Sequence, residues 1–201
     1  MKSTKARIED AAMRLFAERG VTHLTVSELS DQAGVARGTI YNNLSSPDTL
    51  FEAVATNLAF EMHERVVRSF EGVEDPAQRM ANGIRHFVRR AQQEPIWGRF
   101  ITRFAFNNRS LQGMFSGPPG TDLESGVKSG RFKIEPDMSK AVLAMVGGCT
   151  LSAMILVLDG HQTWRVAGSE AAELLLRALG VPGREARKIA RSELLDLPSL
   201  A

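Results

Sequence analysis

Residues 25–50 read TVSELSDQAGVARGTIYNNLSSPDTL, two short helical segments joined by a glycine and followed at once by a third. Thr25 suits the cap of the first segment, its hydroxyl accepting an early helical N–H, and Glu28 three residues on completes a capping box. Val26, Leu29 and Ala33 then share one face. Gly34 fits the positive φ that ends such a helix, and Val35 is an apolar plug for the turn. The next segment, about Arg37 to Asn43, has one strongly apolar residue, Ile40. A short helix gripped through one apolar residue and polar elsewhere is what a DNA major groove accepts. Arg37 has the geometry for guanine, Asn42 for adenine, and the Thr39 methyl for thymine, while Gly38 lets the backbone come close. Tyr41 and Asn43 are better suited to phosphates, which fix register without reading sequence.

Upstream, Ile8, Ala11, Ala12, Leu15 and Phe16 recur at helical spacing, and Glu18-Arg19-Gly20 ends that helix. Lys2, Lys5 and Arg7 precede or open its apolar face and form a candidate arm along a phosphate backbone. With these residues in view, Ile8–Leu50 resembles the DNA-binding domain of the tetracycline-repressor (TetR) family. The resemblance rests on AAxxLFAExG at 11–20, LTVxxL at 24–29, AGVxxGTIY at 33–41, and Leu50. It implies a mostly helical, homodimeric transcription regulator, usually a repressor, that binds a double-stranded DNA operator. It also implies release by a small molecule, here of unknown identity, in a C-terminal domain. By the same resemblance Thr25, Arg37, Gly38, Thr39, Tyr41, Asn42 and Asn43 are the DNA contacts. Three positions depart from the pattern: Ala36 replaces a capping Ser, Asn43-Leu44 replaces a His- or Tyr-Phe pair, and Pro47 replaces a phosphate-binding Lys. A lost cap costs about 1 kcal/mol. Pro47 still suits a first helical position behind Ser46, so the expectation is intact docking with fewer backbone contacts.

Charge alone does not point to DNA. The 201 residues carry 25 basic and 23 acidic side chains, and residues 1–50 carry six of each, so a positive surface must come from arrangement. The one cysteine, Cys149, rules out an intrachain disulfide and fits a reducing cytoplasm. Residues 1–20 are charged and amphipathic, unlike a secretory signal.

The remaining sequence predicts an all-α fold, with a three-helix reader over 1–46 and a helical ligand-binding and dimerisation domain over 47–201. Leu50, Phe51, Val54, Leu58, Met62 and Val66 form the stripe of a long connecting helix from Pro47 to about Phe70. Pro76 and Pro95 open two more helices. Gly117-Pro118-Pro119-Gly120 predicts a break, after which Thr121 or Asp122 caps a short helix ending at Gly130. Ala141–Leu158 is apolar or small throughout and about long enough for a membrane span, but Thr150 and Ser152 interrupt it and Lys140 and Asp159 bound it. A membrane is therefore not among the expected partners, and such a helix must be buried on every side. Ala144, Gly148 and Ser152 form a small-residue ridge for a close helix neighbour, with Val142, Met145, Cys149 and Ile155 turned toward the chain's own core. Ser169 is expected to cap a further helix, Leu174–Leu179, ended by Gly180. These two helices, through Ala144, Gly148, Ser152, Leu175 and Leu179, are the expected homodimer interface.

Aromatic residues cluster from Phe87 to Phe132, and Phe87, Trp97, Phe100, Phe104, Phe106, Phe115 and Phe132, with Met80, Met114 and Met145, are the candidate lining of an apolar effector cavity, Phe87, Trp97, Phe100, Phe104 and Met145 foremost. Arg85 and Arg89, and Arg99 and Arg103, sit four apart on the same helices; any one of them turned inward would favour an anionic or carboxylate-bearing ligand, and Arg103 is the candidate contact. Catalysis has little support. His23, His63, His86 and His161 are scattered, His63-Glu64 lacks a second His four residues from the first, and Cys149 has no nucleophile signature. No catalytic residue, metal ligand or cofactor is assigned. A helical interaction protein that keeps the reader fold without binding an operator is the alternative, left open by Ala36 and Pro47.

Overall fold

The computed structural model describes residues 3–44 and 46–200. Among them are ten α-helices and two short 3-10 turns, and no strand. The helices are α1 (Thr4–Arg19), α2 (Val26–Ala33), α3 (Arg37–Asn43), α4 (Leu50–Arg68), α5 (Pro76–Gln93), α6 (Pro95–Phe104), α7 (Arg109–Lys128), α8 (Ser139–Leu158), α9 (Trp164–Ala178) and α10 (Gly183–Ala190).

Local chemistry sets the first boundaries. Gly20, at φ 72°, and Gly34, at φ 63°, end α1 and α2 in the left-handed conformation. Thr25 and Glu28 form the full capping box: the Glu28 N–H donates to Thr25 Oγ1 at 3.2 Å and the Thr25 N–H to Glu28 Oε2 at 2.8 Å. Ala36 precedes α3 without any side-chain cap. After α3, Ser46 Oγ accepts from the Asp48 N–H at 3.2 Å, and a 3-10 turn over Pro47–Thr49 delays the start of α4 to Leu50.

Two expectations about boundaries fail. The GPPG stretch does not break the chain, because α7 runs through Pro118 and Pro119. Each proline removes a helical N–H and crowds the preceding turn, yet α7 packs against α4, α5 and α8 along its length, and that packing holds the helix together. Asp122 is thus mid-helix, not a cap. Likewise α9 begins at Trp164, capped by Thr163 Oγ1, so Ser169 lies inside it. Helix α10 had no counterpart in the sequence reading.

The apolar residues form two clusters. The first is continuous from Ile8, Phe16, Leu29 and Ile40 to Phe51, Phe100 and Met154. Rings of α1, α4 and α6 meet in it: Phe16–Phe51 at 5.1 Å, Phe51–Phe104 at 4.9 Å and Phe51–Phe100 at 5.7 Å. The second gathers α5, the end of α7, α8, α9 and α10 around Met80, Leu123, Leu176 and Ala186. Helix α8, with a mean hydropathy of 2.3, is long and apolar enough to cross a membrane by those measures alone. It packs against α5, α6, α7 and α9, but only 44% of its most apolar stretch is buried by its own chain.

Candidate nucleic-acid interface and effector cavity

Helix α3 is held through Ile40, which is 0% exposed, and presents its other side outward. Arg37, Gly38 and Asn42 are exposed, and Tyr41 is 65% exposed despite its size. No atom lies within 4 Å of where a Gly38 side chain would start, so the backbone there is open to a close partner. Thr39 and Asn43 are half-buried, and the Asn43 amide donates to the Thr39 carbonyl at 2.8 Å. Thr25 is exposed at the start of α2, its hydroxyl engaged in the capping box. The Thr25 N–H and hydroxyl, then Arg19, hold the Glu28 carboxyl below its ordinary range.

The expected basic arm is different in kind. Lys2 lies outside the described residues, and Lys5 is on α1 facing Glu9 at 4.0 Å. The Arg7 guanidinium donates to the carbonyls of Ala33 at 2.8 Å and Gly34 at 3.3 Å, which are orphaned at the end of α2. Arg7 therefore locks the helix pair together instead of reaching along DNA.

Helix α4 joins this reader to an apolar cavity. Its first turn packs Phe51 on Phe16, and its far half supplies Met62 and Val66 to the cavity wall. Between them Glu61 accepts from Arg90 of α5 at 2.8 Å and from Arg65 at 3.0 Å. The cavity, about 30 Å³, is lined by Met80, Ile84 and Phe87 of α5, Met114, Phe115, Pro118 and Pro119 of α7, and Val146 and Thr150 of α8. Asp122 of α7 is its one acidic group and is 3% exposed. Arg79 Nε lies 2.7 Å from Asp122 Oδ1, although its hydrogen is not directed along that line. Burial pushes the Asp122 carboxyl up to about 6, against the pull of Arg79. Because a proline nitrogen carries no hydrogen, the carbonyls of Met114 and Phe115 lack their usual i+4 helical donors.

Of the residues proposed from sequence as cavity lining, Phe87, Phe115, Met80 and Met114 line it. Trp97, Phe100 and Phe104 are core residues of the first cluster, taken up by packing between reader and α6. Met145 is half-buried beside the second cluster and outside the cavity wall. Arg103 is exposed and turned to α1, donating to the carbonyls of Ala17 at 2.9 Å and Glu18 at 3.2 Å. Asp122, Arg79 and Thr150 were missed. Phe115 and Asp122 are seven apart and share a face, a signal visible only when the helix is continued through the prolines.

On α8, Ala144 and Ser152 are exposed and Gly148 half-buried, so the small-residue ridge faces away from the chain's core. Cys149 and Ile155, expected to face inward, are exposed as well, and Leu156 continues the same apolar face. On α9 the expectation is reversed. Leu175 and Leu179 are buried in their own subunit and cannot reach a partner, while Leu174 is 63% exposed, one residue around the helix.

These features define a helix-turn-helix protein with a helical regulatory domain. Residues 8–54 match the model described as bacterial regulatory proteins, tetR family, and residues 75–192 match the tetracyclin repressor-like C-terminal domain. The chain belongs to the TetR family. It is 34% identical over 74 residues to the transcriptional regulator TtgR of Pseudomonas putida, a match covering 37% of this chain and 35% of that one. The chain thus spans about a third of the length of that curated relative. A crystal structure of RolR with the ligand resorcinol is 28% identical, with a TM-score of 0.68 over 97% of this chain and 96% of that one. FadR of Bacillus subtilis in complex with stearoyl-CoA, at 20% identity, shares the fold: its TM-score is 0.69 over 85% of this chain and 97% of that one.

Proposed function

We propose that this chain is a cytoplasmic repressor that binds a palindromic operator as a homodimer and releases it when a small molecule enters the cavity. The observation that carries the reading is α3, anchored through Ile40 with Arg37, Gly38, Tyr41 and Asn42 left free. One such helix covers a few base pairs, so two-fold pairing is needed for a specific site, and the operator mirrors that symmetry. The exposed apolar faces of α8 and α9, around Gly148, Ile155 and Leu174, support a four-helix dimer interface. In this division residues 1–46 read DNA and residues 47–201 respond to ligand.

The cavity favours a small hydroxylated aromatic ligand. Its walls are mostly apolar; its polar groups are the Asp122 carboxylate, an acceptor, with Arg79 beside it, His63, and Thr150, whose hydroxyl already donates to the Val146 carbonyl at 2.7 Å. The resorcinol named for RolR has this chemistry. A volume of about 30 Å³ holds little more than a water, whereas ligand sites start at roughly 300 Å³. Entry must therefore move α4 and α7 apart. Helix α4 spans 19 residues, about 28 Å, so a small tilt at Met62 shifts the reader at its other end. The ligand acts only through unequal affinity for the two arrangements.

The test is a gel shift with the DNA upstream of the chain's own coding sequence, with and without resorcinol. A retarded band that resorcinol removes supports the reading. No band at micromolar dimer favours the interaction-protein alternative, and a band indifferent to resorcinol and related phenols refutes the ligand class.

A further inference from the structure

A groove of 860 Å³ that shares no residue with the cavity lies between the first half of α9 and the segment after α10. Arg85, Arg89, Arg165 and Arg191 line it with Trp164, whose ring lies 5.0 Å from the Arg89 guanidinium and 4.6 Å from that of Arg165. Three carboxylates also line it: Asp196 pairs with Arg89, Glu170 accepts from Gln162 at 3.1 Å, and Glu193 lies on the segment after α10.

Arg85 sets the chemistry. It is 5% exposed, and its Nη2 donates to the Ser192 carbonyl at 2.7 Å, while Nε and Nη1 have no partner. Among the described residues no carboxylate pairs with it. A buried guanidinium with two unpartnered nitrogens, Nε and Nη1, matches an oxyanion, which supplies both the charge and the acceptors. The chain already mimics one: carbonyls of Ser192, Leu194 and Pro198 accept from Arg85, Arg89 and Arg65. Carbonyl oxygens satisfy hydrogen bonds but leave the positive charge of Arg85 unbalanced.

We propose that this groove is a second ligand site, for a small organic oxyanion, a carboxylate or a phosphate ester, that pairs with Arg85 while segment 192–198 shifts aside. Arg165 and Arg191, both exposed, gather the anion at the rim. Arg65 belongs to α4, so displacing the segment removes one tether of the helix that leads to the reader.

Isothermal titration of the full-length protein with benzoate and with phenyl phosphate, at ionic strength matched with chloride, tests this. Saturable binding of either is expected, and which anion binds separates a carboxylate from a phosphate source. Arg85→Gln should weaken it at least tenfold. Should that variant fail to fold, the exposed double variant Arg165→Gln, Arg191→Gln should weaken it at least threefold with an unchanged melting temperature. Asp122→Asn, in the separate cavity, should leave it unchanged. The proposal fails if neither anion saturates, if the arginine variants bind like the parent, or if Asp122→Asn, which removes the cavity's one carboxylate, tightens binding and so places the anion in the cavity.

Discussion

Replacing Asp122 by Asn should expose a pH dependence that the parent protein conceals. Burial raises the Asp122 carboxyl from 3.8 to about 6, so the folded chain holds this proton more tightly than the unfolded chain. Its contribution is fully present below pH 3.8 and is lost as pH rises through 6, a span worth about 3 kcal/mol at 1.36 kcal/mol per pH unit. Buried His86, 2% exposed and with its Nδ1 unpartnered, moves the other way: burial, then Arg89 and Arg85, lowers it from 6.5 to about 4. Its contribution is present above 6.5 and is lost as pH falls toward 4, again about 3 kcal/mol. Across pH 4.5–6.5 the two slopes nearly cancel. Asp75, held below its ordinary range by Arg131, begins to matter only at the acid end of this window. Urea unfolding of Asp122→Asn at fixed protomer concentration should therefore lose about 2.5 kcal/mol between pH 7.5 and 4.5, while the parent changes by less than about 1 kcal/mol. His86→Gln should instead gain stability in acid. An Asp122→Asn profile that tracks the parent would show that these two buried groups do not oppose one another.

Ala36→Ser supplies the missing cap of α3 and should add about 1 kcal/mol to stability, read by urea unfolding, and tighten operator binding. Arg103→Ala removes two hydrogen bonds to the end of α1 and should cost about 1–2 kcal/mol in thermal unfolding, yet leave effector affinity unchanged, because the side chain does not reach the cavity. Leu174→Glu places a charge on the exposed apolar face of α9; sedimentation at micromolar protein should show monomers, and an intact dimer would move the interface elsewhere.

What the sequence disclosed followed from how local the signals were. The capping box at Thr25 and Glu28, the glycines at 20 and 34, and prolines 76 and 95 each act within one helical turn, and each boundary they mark is present. Helix α3 was legible for the same reason: one apolar residue among polar neighbours fixes which side is free. The responsive half was harder because its meaning is tertiary. Pro118 and Pro119 signal a break locally, and only packing against α4 and α8 keeps α7 continuous. That misjudged helix hid Asp122, and with it the polar end of the cavity. Aromatic residues could not be sorted into core and cavity by spacing, since Phe87 and Trp97 have their rings 5.9 Å apart and only one lines the void. On α9, the neighbours Leu174 and Leu175 fall on different sides, one exposed and one buried, because successive residues turn by about 100° around a helix.

Operator binding requires that the free side of α3 contact DNA. Fluorescence anisotropy with labelled DNA from upstream of the chain's own coding sequence, comparing the parent with Arg37→Ala and Tyr41→Ala, tests it most directly. The prediction is specific binding by the parent and a loss of about 1–3 kcal/mol, roughly 5- to 150-fold, for Arg37→Ala, with folding intact by circular dichroism. Tyr41→Ala should weaken specific and unrelated DNA alike. Parent and variants binding the same DNA with equal affinity would contradict the claim.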